Sequence, residues 1–260
     1  MDVVTAIEGG LVVSCQAPEG HPLRDPRTIA LLARCAELGG AAGLRVNGPE
    51  DVRAVKAVSR LPLIGLAKVP RPHARPLITP SFALCEDLVR AGADMVALEV
   101  TAEAEPQVGD LPALVERVRG ELGVPVMADV STAEEGLRAW DRGASLISTT
   151  LSGYTPYTTA HPPTVPLRTT TADPTAATDP GPRTGSAPGP GLAHEPDLDL
   201  VSELAALGIR TVAEGRLRTD AHVAEAFARG AWSVVIGGAI TDPLAITRHL
   251  TAATPKGSLR

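Results

Sequence analysis

Short runs of aliphatic and β-branched residues alternate along the chain with longer stretches in which apolar positions recur every three or four residues. That is the pattern of strands alternating with helices. Eight runs read as strands, at residues 11–15, 42–46, 63–66, 95–99, 125–129, 146–150, 210–214 and 233–237. Between and after them lie helical stretches: ARCAELGG, EDVRAVKAVSR, FALCEDLVRAGA, LPALVERVRGELG, STAEEGLRAWDRGA, DLVSELAALG, DAHVAEAFARGA and DPLAITRHL. Near-continuous apolar strands separated by helices predict a parallel sheet covered on its outer face. Eight repeats predict an α/β fold, a single (β/α)8 TIM barrel spanning 1–260. Gly39, Gly92, Gly143, Gly208 and Gly230 each close a helical stretch, where a left-handed residue is expected. Ser131 and Glu134 have the spacing of a capping box, with helix initiation as its expected role.

One segment breaks the alternation. Residues 160–196 hold nine of the chain's 24 prolines among Thr, Ala and Gly, with almost no large apolar side chain. Such a segment cannot bury enough surface to offset its ordering entropy, so it is expected to be a flexible Pro/Thr-rich insertion after strand six. A passive loop is favoured over a lid or a second domain. The last residues, 254–260, are expected to fray.

Composition narrows the function. Aromatic residues make up only 2% of the chain, so stacking platforms for single-stranded nucleic acid are effectively missing. The net charge of −6, with no run of Lys or Arg, argues against nucleic-acid or anionic-membrane surfaces, and an anionic substrate then needs a local basic pocket. Cys15, Cys35 and Cys85 are odd in number and form no C-x-x-C, which argues against a disulfide framework or structural zinc and for the cytoplasm. The segment MDVVTAIEGG is acidic where a signal peptide is basic, and no apolar run approaches the roughly 20 residues of a membrane helix.

In a parallel barrel the C-terminal strand ends converge on one face, and here those ends carry Gln16, Arg45, Lys68, Asp129 and Glu214. Lys68 follows the apolar run LIGLA, so part of its stem is expected to be desolvated, which lowers the affinity of an amine for its proton. The amine then becomes usable as a base or as a Schiff-base nucleophile. Glu214 is expected across the mouth from Lys68, with Arg45 and Asp129 flanking the space between; a buried structural ion-pair network is the alternative reading of the four charges. Strand seven runs into Gly215-Arg216 and strand eight into Gly237-Gly238, and glycines there let main-chain N–H groups approach a phosphate. Glu99, Asp129 and Glu214 could be pictured around a metal, but no His stands at a strand end, and no catalytic metal is expected.

The stretches GGLVVSCQAPEGHPL, GGAAGLRVNGPEDVRAVK, LPLIGLAK, VPVMADVSTAEEGLRAWDRGA, STTLSGYTPYT, VAEGRLRT and VVIGGAITDPLAIT carry a family likeness. From residue 9 to about 247, omitting the insertion, the chain resembles the N-acetylmannosamine-6-phosphate 2-epimerases, barrel enzymes of sialic-acid and amino-sugar catabolism. The resemblance implies an isomerase interconverting N-acetylmannosamine 6-phosphate and N-acetylglucosamine 6-phosphate through deprotonation and reprotonation at C2, with no metal or organic cofactor. It implies catalytic roles for Lys68 and Glu214, sugar contacts from Gln16, Arg45 and Asp129, and phosphate on the main chain of Gly215, Arg216, Gly237 and Gly238. The chain departs from that likeness at residues 69–73, VPRPH, where relatives carry a polar pair and a Tyr, and at Glu99, where many carry Asp. Two other readings stand beside it: a Schiff-base aldolase using Lys68, and a barrel that binds a sugar phosphate without turning it over. A homodimer is a further expectation for this class of barrel.

Overall fold

The computed structural model of the protein describes residues 2–158 and 195–255. Ten strands are present among these: β1 Leu11–Cys15, β2 Gly43–Asn47, β3 Leu63–Leu66, β4 Lys68–Arg71, β5 Ala74–Ile78, β6 Met95–Glu99, β7 Val126–Asp129, β8 Leu146–Ser148, β9 Thr211–Glu214 and β10 Ser233–Ile236. Eight of them close into a parallel barrel in the order β1-β10-β9-β8-β7-β6-β3-β2, the predicted (β/α)8 architecture. Closure runs through β1 and β10, which pair Leu11 with Val234 and Val13 with Ile236.

Each barrel strand buries both faces because alternate residues point into the barrel or out toward the helices. Val12, Ile64, Leu66, Met95, Ala97, Met127, Leu146, Val212 and Val235 fill the interior. Val13, Leu44, Val46, Leu63, Val96, Leu98, Ala128 and Ile147 face outward against the helix layer. Aliphatic side chains of this size fill a narrow barrel without aromatics, which accounts for the low aromatic content.

A short helix, Val3–Ala6, plugs the end of the barrel where the strands begin: Val4 and Ile7 join the interior cluster, and Trp232 Nε1 donates to the Val4 carbonyl at 3.0 Å. Gly43 makes room for it, since a Cβ there would stand 2.9 Å from Ile7 Cγ2.

Five expectations are corrected. The capping box at the helix Ala133–Asp141 uses Thr132 and Glu135, not Ser131 and Glu134; Ser131 instead donates its hydroxyl to the same Glu135 at 2.8 Å. Gly39 is right-handed at φ −78°, and the left-handed residue of that turn is Gly40 at +88°; Gly92, Gly143, Gly208 and Gly230 are left-handed as expected. β2 lies one residue later than predicted, and β8 ends at Ser148 rather than Thr150. Lys68 does not end β3 but opens an antiparallel hairpin, β4–β5, whose register pairs Lys68 with Ile78. The proposed insertion lies outside the described residues except for Glu195 and Pro196, and so does the tail beyond Pro255.

Candidate active site at the C-terminal mouth

The inward positions continue past the aliphatic layers to a polar layer at the strand ends. Stepping by two from the interior residues leads from Val12 to Ser14 and Gln16, from Gly43 to Arg45 and Asn47, and from Leu66 to Lys68. The same step leads from Ala97 to Glu99, Met127 to Asp129, Leu146 to Ser148 and Thr150, Val212 to Glu214 and Val235 to Gly237. The predicted site residues therefore meet on one face.

Arg45 stands at the centre, 2% exposed, donating from Nη2 to Asp129 Oδ2 at 2.5 Å and from Nη1 to Glu214 Oε1 at 2.9 Å. Burial alone disfavours its charge, but Asp129 and then Glu214 outweigh that and hold the guanidinium protonated. Three of the four predicted charges thus form a buried ion network. Asp129 is fully buried, and desolvation pushes its carboxyl up to about 7; Glu214 and Glu99 add to the rise, while Arg45 and the Thr150 hydroxyl oppose it. Thr150 Oγ1 stands 2.8 Å from Asp129 Oδ1 and 3.0 Å from Glu214 Oε2, and Ser148 Oγ lies 2.8 Å from Thr150 Oγ1. The two carboxylates are therefore bridged by hydroxyls on one side and by a guanidinium on the other.

Lys68 stands apart from this network. Among the described residues no carboxylate lies within ion-pair distance of its amine, yet Arg45, Glu214 and Asp129 all act on it through space. Desolvation against the crowded rim, followed by the Arg45 cation, lowers its proton affinity, and the two carboxylates pull the other way. The residue as a whole is exposed at the rim, so the desolvation that lowers its proton affinity belongs to the end of the side chain that faces Arg45, Glu214 and Asp129. The main chain at Lys68 is held by Asn47, whose Oδ1 accepts its N–H at 2.8 Å.

Glu214 is held in a similar way. Thr149 Oγ1 accepts from the Glu214 N–H at 3.1 Å and donates to its carbonyl at 2.9 Å. Gln16 donates to Ser14 Oγ at 2.6 Å, and its buried Oε1 has no partner among the described residues.

The loops after β9 and β10 also face the mouth. Gly215 and Arg216 both have positive φ, +107° and +63°, which turns the main chain sharply behind Glu214. The Arg216 side chain is directed elsewhere: it donates to the carbonyls of Ser152 at 2.8 Å and Glu195 at 2.7 Å, so its main chain alone belongs to this turn. A Cβ on Gly237 would meet Ser14 Cβ at 3.4 Å, and Gly238 opens the short helix Gly238–Thr241. Among the described residues no group of His, Cys, Asp and Glu is arranged to hold a metal ion.

Ser148, Thr149, Thr150 and Asn47 were not singled out from sequence. The period of two could have found Ser148, Thr150 and Asn47, which share the inward parity of their strands. Thr149 has the outward parity and gave no such signal.

The profile of a family described as "Putative N-acetylmannosamine-6-phosphate epimerase" matches residues 29–173 and 184–256. A protein of Caldanaerobacter subterraneus subsp. tengcongensis, described as "Putative N-acetylmannosamine-6-phosphate 2-epimerase", is 38% identical over 251 residues, covering 96% of this chain and 92% of its own. The solved structure of the N-acetylmannosamine-6-phosphate 2-epimerase from Clostridium perfringens superposes with a TM-score of 0.79 at 31% identity, covering 98% of this chain and 97% of that one. A thiamine phosphate pyrophosphorylase from Pyrococcus furiosus, 15% identical with a TM-score of 0.54 over 94% of this chain and 92% of its own, shares the fold alone.

Proposed function

Because the chain belongs to the N-acetylmannosamine-6-phosphate epimerase family, we propose that it is an isomerase inverting C2 between N-acetylmannosamine 6-phosphate and N-acetylglucosamine 6-phosphate, with the barrel mouth as its site. The observation that carries the site assignment is that Lys68 and Glu214, far apart in sequence, belong to one electrostatic ensemble with Arg45 and Asp129.

In the open-chain sugar the C2 proton is acidified by the C1 aldehyde. Neutral Lys68 takes that proton, the C2–H electron pair moves into a C1–C2 double bond, and charge develops on O1. Collapse of this enolate with a proton delivered to the opposite face of C2 inverts the centre. Glu214 is the partner of Lys68 in this exchange, polarising O1 or returning the proton. The proton is shared between Glu214 and Asp129 through Thr150, whose hydroxyl reaches both carboxylates, with Ser148 supporting it from the Glu214 side. Arg45 is buried beneath them and acts on the sugar through the two carboxylates it orients. Gln16 is assigned to the sugar from the end of β1, where its buried Oε1, without a partner among the described residues, accepts from a sugar hydroxyl once the side chain turns outward. The phosphate rests on main-chain N–H groups of Gly215, Arg216, Gly237 and Gly238, a remote grip that helps fix C2 between base and acid.

The decisive measurement is proton NMR of N-acetylmannosamine 6-phosphate with the enzyme in heavy water. Deuterium is expected at C2 as the second epimer appears, and Lys68→Ala is expected to abolish both. Exchange that survives in Lys68→Ala removes Lys68 from the chemistry, and borohydride capture of substrate on Lys68 converts the reading to a Schiff-base aldolase. We further assign the reaction to sialic-acid catabolism in the cytoplasm, with a small sugar phosphate rather than nucleic acid or membrane as partner, by a protein working as a homodimer. Light scattering of the eluted protein tests the last of these.

A further inference from the structure

We propose that Arg75 and Glu99 form a latch that seats the β4–β5 hairpin on the barrel rim and thereby sets the position of the Lys68 amine. The inference rests on the assignment of Lys68 as the base.

Glu99 is the inward-facing last residue of β6 and is 1% exposed. Arg75, on β5, reaches it with a two-pronged contact: Nη1 to Oε2 at 2.9 Å and Nη2 to Oε1 at 2.6 Å. The same carboxylate accepts from the Ile78 N–H at 3.2 Å and from the Thr101 hydroxyl at 2.5 Å, so its lone pairs are engaged. Ile78 is the cross-strand partner of Lys68. One buried carboxylate therefore grips both the arm of the hairpin and the residue lying beside the catalytic amine.

The hairpin has two further anchors that leave this role to the latch. At its base, Ala67 accepts from Thr79 N at 2.7 Å, and Thr79 Oγ1 bonds to the Ala67 N–H and the Ala97 carbonyl. At its outer end, Glu103 pairs with Arg71 and Arg75, and Arg71 Nε closes the turn on the Arg75 carbonyl at 2.8 Å. Between these, side chains 75 and 99 form the inward tie. A fork-on-carboxylate contact fixes orientation as well as distance, which a base needs if it is to meet C2 from one direction. Among the described residues the Arg75 side chain bonds to Glu99, Glu103 and the Pro76 carbonyl and to neither Lys68 nor the predicted phosphate loops, so it is a positioning residue.

The test compares wild type with Arg75→Met, Arg75→Lys, Glu99→Asp and Lys68→Ala, reading C2 hydrogen–deuterium exchange, kcat, KM and the pH dependence of kcat. Arg75→Met is expected to lower kcat by about tenfold or more with KM changed by less than about twofold, because small misplacements of a catalytic group are costly. The pH at which the base becomes active is expected to rise, since a loosened hairpin returns water to Lys68 while Arg45, Glu214 and Asp129 still face it from β2, β9 and β7. Arg75→Lys is expected to recover part of kcat, keeping the charge but losing the fork. Wild-type kcat and an unmoved pH limb in folded Arg75→Met overturn the latch. If circular dichroism shows Arg75→Met unfolded, the same reading passes to Arg75→Lys and Glu99→Asp, and wild-type kinetics in both overturn it. Exchange persisting in Lys68→Ala overturns the base assignment instead, so the two failures are told apart.

Discussion

Thr150 places one hydroxyl within reach of both carboxylates, 2.8 Å from Asp129 and 3.0 Å from Glu214. A hydroxyl has a single proton to give, so at any instant it donates to one and accepts from, or merely faces, the other. Thr150→Val removes that exchange with little change of shape. It is expected to lower kcat about tenfold, the low end for a group assisting proton transfer, while Thr150→Ser keeps most of the activity. Steady-state kinetics of the two variants check this. Asp129 makes a second prediction, on stability. Its native carboxyl, pushed up to about 7 by burial, still holds a proton in a range where the unfolded chain, near 3.8, has lost it. Stability from this group is therefore fully present below about pH 4 and is lost as pH rises through about 7. Asp129→Asn cannot lose a proton, so its stability relative to wild type is expected to improve between pH 4 and pH 7.5 in urea titrations. A difference that stays flat across that window shows that Asp129 ionises freely in the fold.

Among the elements, β3 leads to Lys68 at the rim and packs closely against the helix Phe82–Ala91 and the turn that follows it. A Cβ on Gly65 would stand 2.8 Å from Ala93 Cβ and 3.3 Å from Leu88 Cδ2. Gly65→Ala therefore pushes the strand off the helix Phe82–Ala91 and is expected to cost about 1–3 kcal/mol, seen as a lowered thermal midpoint, with activity falling because Lys68 moves with the strand. The barrel strands were legible because aliphatic runs of four or five residues flanked by helical period leave few other assignments. The hairpin was not: KVPR and ARPLI contain prolines that argue against strand, and their pairing is interrupted by an irregularity between Val69 and Arg71. The capping box was misplaced by one residue because Ser131 and Thr132 both offer a hydroxyl, and Glu134 and Glu135 both offer a carboxylate; the side-chain geometry chose the second of each.

For the whole molecule, the order of strands and helices along the chain carries the site. Gln16, Arg45, Lys68, Asp129 and Glu214 were legible because each stands at or just past the C-terminal end of a predicted strand, and such ends converge on one face of a parallel barrel. Lateral order is a different kind of information. That Arg45 would bridge Asp129 and Glu214, or that Arg75 would find Glu99, depends on distances across the mouth that no strand pattern encodes. The same axis separates stability from chemistry. Val4 and Ile7 close the opposite end of the barrel from the polar layer, and Ile7 is completely buried. Ile7→Ala should cost about 2–5 kcal/mol, which for a chain of this size lowers the thermal midpoint by about 5–15 °C. Ile7 lies against Gly43, one inward step below Arg45 on β2, yet Arg45 is tied sideways to Asp129 and Glu214, and those contacts leave the mouth in place. The expected result is a less stable enzyme whose KM and kcat, measured well below its midpoint, match wild type. A fall in kcat without a fall in midpoint reverses that order and makes the floor part of the catalytic machinery.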